Sequence, residues 1–237
     1  MRGSMLAPGT LVAVASSPQD LTSPLPAPGA TVAPGDFDNP AVTVDLLHRY
    51  DKPGPRYTSY PTAVEFHSGF GAADYDAHLS RAATNADAPL SLYLHLPFCE
   101  SRCAFCGCSV IVTRKRHVAA EYLTYLVREL RMVAERLGRR RHVVQYHWGG
   151  GTPSYLSPDQ MRGLHAAVCD SFDIEASGER AIEVDPRVTS FEQLEVLRAL
   201  GFSRLSLGVQ DFDDDVQQAV NRVQGVAATR ALIHHAR

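Results

Sequence analysis

The stretch Ser91-Leu92-Tyr93-Leu94-His95-Leu96-Pro97-Phe98-Cys99-Glu100-Ser101-Arg102-Cys103-Ala104-Phe105-Cys106 decides how this sequence folds. Leu92, Leu94 and Leu96 alternate with Tyr93 and His95, the period of a strand that buries one face and keeps polar groups on the other. Pro97 stops the run, and three cysteines follow at once in a C-x3-C-x2-C spacing. A loop at the C-terminal end of a parallel strand is where α/β barrels put their chemistry. Working outward, further strand-like runs occur at Val143–Trp148, Ala181–Asp185 and Arg204–Val209. Helical patterns lie between them at His117–Leu137, Pro158–Phe172 and Phe191–Leu200, and Asp213–Val220 and Ala227–Ala236 follow. Gly138 and Gly201 stand where C-terminal caps belong, and Ser157-Pro158 offers an N-cap with a first-turn proline. Strands alternating with such helices predict βαβ units on a parallel sheet. The four strands make only part of a closed barrel, and no strand follows the last helix, so a fragment of a longer protein is expected.

The N-terminal side differs. Ten of the 15 prolines lie at or before Pro61. Residues 1–41, rich in Pro, Ala, Gly, Ser and Thr and nearly uncharged, read as a disordered tail. Pro8-Gly9 interrupts its apolar stretch, which speaks against a signal peptide. Residues 42–89 read as a separate segment. It holds a short helix at Asp45–Tyr50, a path kept extended or turning by Pro53, Gly54, Pro55 and Pro61, and a helix at Ala72–Ala83. The alternating pattern then covers 90–237.

Over its 237 residues the chain is 45% hydrophobic and 21% charged, with a net charge of -3. Such values exclude a collagen-like or wholly disordered chain, and no run of about 18 apolar residues is present to span a membrane. The slightly acidic balance argues against a non-specific nucleic-acid binder. Four of the five cysteines fall between Cys99 and Cys108, and only Cys169 stands apart. A secreted disulfide framework would scatter them. Crowding points to a metal or cluster in a reducing compartment, hence the cytoplasm. Cys169, on a helix, reads as an inert buried thiol.

Three thiolates on one short loop, from Cys99, Cys103 and Cys106, can hold three corners of a cubane iron–sulfur cluster, where an electron carrier uses four. One iron then stays open, as catalysis at a metal requires. Two alternatives remain: a structural zinc site, for which Cys106-Gly107-Cys108 is too tight, and an electron carrier with Cys108 as fourth ligand. Val143–Trp148 runs into Gly149-Gly150-Gly151-Thr152-Pro153, whose backbone can approach and hydrogen-bond a ligand. No Gly-Lys-Ser/Thr follows, so this is not a phosphate loop. Glu183, near a strand end, suits ribose hydroxyls or a salt bridge. Gln210 offers an amide that both donates and accepts. Arg222 can pair with a carboxylate. Tyr93 and His95 share one face and read as either structural or functional. Arg114-Lys115-Arg116 and Arg139-Arg140-Arg141 are candidate partners for an acidic substrate, against the simpler reading of exposed loop charge.

The three-cysteine motif after a first strand, Phe105 before the third cysteine, and the glycine segment after the second strand together resemble the radical S-adenosylmethionine (SAM) enzymes. One family within them is matched further, the oxygen-independent coproporphyrinogen III oxidases. The residues that resemble it are Gly54-Pro55-Arg56-Tyr57-Thr58-Ser59-Tyr60-Pro61-Thr62, Tyr93-Leu94-His95-Leu96-Pro97-Phe98-Cys99, Cys106-Gly107-Cys108, His147-Trp148-Gly149-Gly150-Gly151-Thr152-Pro153 and Leu207-Gly208-Val209-Gln210-Asp211-Phe212. The resemblance runs from about Val42 to Arg237. The related haem-chaperone group shares the cysteines and the glycine segment, but usually carries an aromatic residue where Cys108 stands and lacks the Arg56–Thr62 segment.

This resemblance implies the N-terminal part of a partial (β/α)6 TIM-like barrel, in a family whose chain continues well beyond Arg237. It implies a [4Fe-4S] cluster on Cys99, Cys103 and Cys106, and two molecules of SAM. Tyr93, Gly150 and Glu183 would contact the first SAM. Phe105, Gly151, Thr152, Gln210 and Arg222 would contact the second. Tyr93 and His95 are the catalytic candidates. Reductive cleavage of SAM would give a 5′-deoxyadenosyl radical that takes a β-hydrogen from a propionate side chain. Loss of CO2 and one electron leaves a vinyl group, and two such events convert coproporphyrinogen III to protoporphyrinogen IX. The cofactors supply that chemistry and the protein supplies position. Also implied are an electron donor and acceptor of unspecified identity, no nucleic-acid or membrane partner, a monomer at full length, and no activity for this shorter chain alone.

Overall fold

The computed structural model of the chain describes residues 65–237, the strand Val12–Ser16 and positions 48–49. The expected helix Asp45–Tyr50 is described only at those two positions, which are helical. The proline-rich path beyond it, with the motif from Gly54 to Thr62, lies outside the described residues. Packing divides the chain into one unit of residues 1–17 and 76–237 and another of residues 18–75. The first carries the sheet.

The strands are β1 (Val12–Ser16), β2 (Leu90–Leu96), β3 (Phe98–Cys99), β4 (Ile111–Val112), β5 (His142–Gly150), β6 (Asp173–Val184) and β7 (Arg204–Leu207). The helices are α1 (Ala72–Ala83), α2 (His117–Leu137), α3 (Pro158–Ser171), α4 (Phe191–Ala199), α5 (Asp214–Ala219) and α6 (Val226–Ala236). The main sheet has the order β1-β2-β5-β6-β7, and its β2–β5, β5–β6 and β6–β7 pairs are parallel. Parallel neighbours that follow one another in sequence, with right-handed crossovers, put every connecting helix on one face. That is a barrel wall, the predicted α/β architecture. Among the described residues β7 has a strand partner on one side only, and no helix is long and apolar enough to cross a membrane.

Alternation builds the wall. Leu90, Leu92, Leu94 and Leu96 are buried, while Ser91, Tyr93 and His95 are half-buried on the opposite face. On the helix side Trp148 packs 4.9 Å from Phe202, and Tyr146 lies against both. Leu126, Leu130, Val133 and Leu137 of α2 recur at helical spacing and are buried. The expected caps form: Gly138 (φ 60) donates to the carbonyls of Ala134 and Glu135, and Ser157 makes a capping box with Gln160.

Three expectations are corrected. Within the stretch read as a disordered tail, Val12–Ser16 pairs antiparallel with β2. The Val-Ala-Val-Ala run suits a strand, and the edge of β2 offers it unpaired backbone groups. β6 starts at Asp173, eight residues before Ala181, because a register shift lets Asp173 and Ile174 pair with His142 and Val143. The fourth parallel strand stops at Leu207 instead of Val209, since its partner β6 ends at Val184, the residue paired with Leu207.

The arginine run also separates. Arg139 is exposed, whereas Arg140 is 3% exposed and donates to the carbonyls of Ala88 (2.8 Å), Ala82 (2.9 Å) and Pro89 (3.0 Å). Arg141 donates to Gly138 and Ser171 carbonyls. Arg140 is thus neither an exposed loop charge nor a partner for an acidic substrate. In the other run, Arg114 and Lys115 are exposed, while Arg116 pairs with Glu100 and lies over the Tyr155 ring.

Candidate functional site

The cysteine loop is closed at its base. Phe98 is fully buried, 5.3 Å from the Tyr155 ring and 5.2 Å from that of Tyr122. The short parallel pair β3–β4 joins Phe98 to Ile111 and Cys99 to Val112, with Ile111 donating to Pro97 O (2.7 Å) and Thr113 to Cys99 O (2.9 Å). The far side of the loop is tied to the turn after α5. Ala104 N donates to Val220 O (3.0 Å), and Asn221 Nδ2 to Arg102 O (2.8 Å). This anchoring aims the loop at the C-terminal ends of β5, β6 and β7.

There it borders a cavity of about 330 Å3. Cys99, Cys103, Cys106 and Cys108 line it, with Phe105, Gly150, Gly151, Thr152, Glu183, Asp185, Arg187, Gln210 and Arg222. A larger groove of about 850 Å3 runs between α2 and α3, away from these strand ends. The smaller cavity is the candidate because thiols, carboxylates and guanidinium groups converge on it. The fold therefore brings together the residues implied for the cluster and SAM except Tyr93, and it leaves out His95 and the two basic runs at 114–116 and 139–141. Tyr93 and His95 sit behind the lining. Tyr93 Oη lies 3.0 Å from His95 Nδ1, and His95 Nε2 lies 2.9 Å from Ser109 O, so both imidazole nitrogens have partners. Burial, aided by the charges of Glu183 and Cys108, pushes the Tyr93 phenol up to about 12.

The glycines work differently from expectation. Gly150 N donates to Glu183 Oε2 (3.1 Å), Gly151 N to Leu96 O (3.0 Å) and Thr152 N to Phe98 O (2.8 Å), so these amides are already committed. Gly150 has φ 117, and a Cβ there would meet the His95 ring at 2.7 Å. A Cβ on Gly151 would meet the carbonyl of Pro97 at 2.6 Å, where only backbone can yield. Gly151→Ala is therefore expected to destabilise the chain by about 2–3 kcal/mol through overpacking, read as a lower urea midpoint. Gly163→Ala, inside α3 with open space at its Cβ, is the comparison and is expected to raise stability by about 0.5–1 kcal/mol.

Electrostatics divide the thiols. Burial pushes the Cys99 thiol up, although the Thr152 hydroxyl, 3.3 Å away, opposes this. Cys103 is 8% exposed and receives two guanidinium groups, Arg222 Nη1 at 3.5 Å and Arg187 Nη2 at 3.6 Å. Both arginines are held by Asp185, at 2.6 Å from Arg187 and 3.1 Å from Arg222. Arg222 also donates from Nε to Gly208 O at 2.9 Å. Glu183 sits 3.6 Å from His147 Nε2, whose ring stacks 5.7 Å from that of Tyr93. The His147 imidazole is the main cause holding Glu183 below the usual carboxylate range; burial opposes it and the Gly150 amide helps.

Asp185 has a pH consequence. Burial opposes its ionisation, but hydrogen bonds from the Arg187 side chain and backbone, with the charges of Arg222 and Arg187, hold it below the ordinary range. A carboxyl whose folded pKa is depressed adds stability that is full above its unfolded pKa of about 3.9 and is lost as pH falls through the lower folded value. Urea midpoints are expected to fall below about pH 4, and Asp185→Asn to flatten that part of the profile.

A family model described as the Radical SAM superfamily matches residues 93–237. The chain belongs to the radical SAM superfamily. An oxygen-independent coproporphyrinogen III oxidase of Pseudomonas aeruginosa is 48% identical over 195 residues, covering 81% of this chain and 42% of the relative. The Escherichia coli protein of that name is 49% identical over 192 residues, covering 81% of this chain and 41% of its own length. A solved structure of that Escherichia coli enzyme, described as a radical SAM enzyme, superposes with a TM-score of 0.70 at 47% identity over 77% of this chain and 41% of its own. The chain thus spans about two fifths of the length of these curated relatives.

Radical SAM proteins hold a [4Fe-4S] cluster and SAM, and the donor set here fits such a group. Its cysteines are all free. Among the described residues no three His, Cys, Asp or Glu side chains converge on one ion position. Cys99, Cys103, Cys106 and Cys108 line one cavity. Asp185, Arg187 and His147 are the site residues that motif reading passed over. The Asp185-Pro186-Arg187 charge pair at a strand end was the available signal for two of them.

Proposed function

We propose that this chain carries the cluster- and SAM-binding part of the radical SAM oxidative decarboxylation of coproporphyrinogen III to protoporphyrinogen IX, a step of haem biosynthesis. The single observation that carries the reading is the convergence of Cys99, Cys103 and Cys106 with Gly150, Glu183, Gln210 and Arg222 on one cavity at the strand ends. The identity to the named oxidases over 81% of the chain supports the substrate.

In this reading the three cysteines hold the cluster. When bound, the cluster and SAM supply the radical that removes a propionate hydrogen. Glu183, kept ionised by His147 and fixed by Gly150 N, accepts hydrogen bonds from the first SAM. Tyr93 and His95 brace that wall: Tyr93 stacks on His147, the partner of Glu183, and His95 meets the loop carbonyl of Ser109. Phe105 (49% exposed), Gly151, Thr152, Gln210 and Arg222 bind a second SAM. Gln210 holds a positive φ, a strained state for a residue with a Cβ that functional sites tolerate. The cytoplasm is the compartment that suits five free thiols.

The test is anaerobic reconstitution with iron and sulfide, followed by EPR of the reduced protein with and without SAM. A [4Fe-4S] signal that changes when SAM is added is expected, with release of methionine and 5′-deoxyadenosine. A folded chain that takes up no cluster with its cysteines intact would overturn the reading. Coproporphyrinogen turnover is expected only from a protein of the relatives' full length.

A further inference from the structure

Cys103 differs from the other cysteines of its loop. It is the buried one, and its sulfur meets cations on two sides. Arg187 comes from the segment after β6 and Arg222 from the turn after α5, 84 and 119 residues away in sequence. Asp185 orders the pair. Arg187 grips both of its carboxylate oxygens, Nε at 3.0 Å from Oδ1 and Nη2 at 2.6 Å from Oδ2, while Arg222 Nη1 reaches Oδ2 at 3.1 Å. Arg187 Nη1 also approaches Asn221 O at 3.4 Å, on the turn that ties down the cysteine loop. One carboxylate and two guanidinium groups leave one net positive charge against the sulfur.

We infer that Arg187, held by Asp185 and acting with Arg222, raises the reduction potential of the cluster corner at Cys103. The inference rests on the reading that Cys103 ligates the cluster. A metal-bound thiolate keeps lone pairs that still accept hydrogen bonds. Reduction adds one negative charge to the cluster, and hydrogen bonds and positive charge at its sulfur favour that state. The low dielectric of a buried site strengthens the effect. Arg187 is a positioning residue here: it acts on the cluster through the cysteine sulfur. Cys99, whose described partner is the neutral Thr152 hydroxyl, lacks this arrangement.

The experiment is an EPR-monitored redox titration of the reconstituted chain, as wild type, Arg187→Met and Arg187→Gln, with iron and sulfide content measured on the same samples. Arg187→Met is expected to load a full cluster whose reduction equilibrium falls about tenfold, a drop of about 59 mV for one electron. Arg187→Gln keeps a donor without the charge, so a smaller drop is expected. It also stands in if Arg187→Met does not fold, as judged by circular dichroism. A fully loaded variant with the wild-type potential overturns the inference. So does a folded variant that cannot retain iron, because Arg187 would then be only an anchor for the loop. Failure of the wild-type chain to load iron sinks the proposed function itself, and this inference with it. The iron content of the wild type tells that outcome from the others.

Discussion

Cys103→Ala loses the cluster. The reconstituted variant is expected to retain less than roughly a tenth of the wild-type iron, because losing a ligand exceeds the 10- to 100-fold effects of changing a ligand's neighbours. Burial makes Cys103 the most sensitive of the three positions. At 8% exposure, water cannot readily take the place of its sulfur. Removing the sulfur also leaves Arg187 and Arg222 facing each other across Asp185 with nothing else to neutralise them, and a buried excess charge is costly. Iron per chain and the visible absorbance of the cluster are the measurements. Cys169→Ala is the control: Cys169 lies on α3 outside the cavity, exposed and not the buried thiol expected from sequence, and the variant is expected to load like the wild type. Full iron in Cys103→Ala would break the three-thiol assignment and turn attention to Cys108.

Arg140→Leu is the second large effect, on stability and not on the cluster. Arg140 links the last turn of α1 and the approach to β2 with the segment leading into β5, through three charge-assisted bonds to carbonyls. Such bonds each contribute roughly 1.5–3 kcal/mol, and Leu would fill the space while leaving buried acceptors unmet. Part of the loss is recovered by water at this margin of the sheet, so a net destabilisation of about 3–5 kcal/mol is expected. For a domain of this size that lowers the melting temperature by roughly 6–20 °C. Thermal unfolding followed by circular dichroism reads it. Arg139→Leu, at an exposed position, is expected to change stability by no more than about 0.5 kcal/mol. Equal effects at the two positions would refute the structural role of Arg140. Its bonds sit at the N-terminal end of the parallel strands, opposite the cysteines, so iron content in the folded fraction should not change.

These residues mark the boundary between what is local and what is not. Helices α2 and α3 were legible because their apolar period, Gly138 and Ser157-Pro158 act within a turn or two of chain. The alternation over Ser91–Leu96 was legible for the same reason, and it correctly put Tyr93 and His95 on one face. The two-residue strands Phe98–Cys99 and Ile111–Val112 were not, because two residues have no period. The first half of β6 was hidden because Asp173–Gly178 shows no alternation and pairs only through a register shift in the neighbouring strand.

The sequence by itself determined the parallel α/β class, the loop that carries the thiols and the glycine turn beside it, since spacing, periodicity and capping are properties of neighbouring residues. The tertiary structure alone decided that Arg140 is a buried clamp while Arg139 is an exposed charge, two residues that read alike in sequence. It alone also decided that Asp185, Arg187 and Arg222 meet at Cys103. Contacts across 84 or 119 residues depend on how the sheet closes and what it desolvates, and no local preference encodes that.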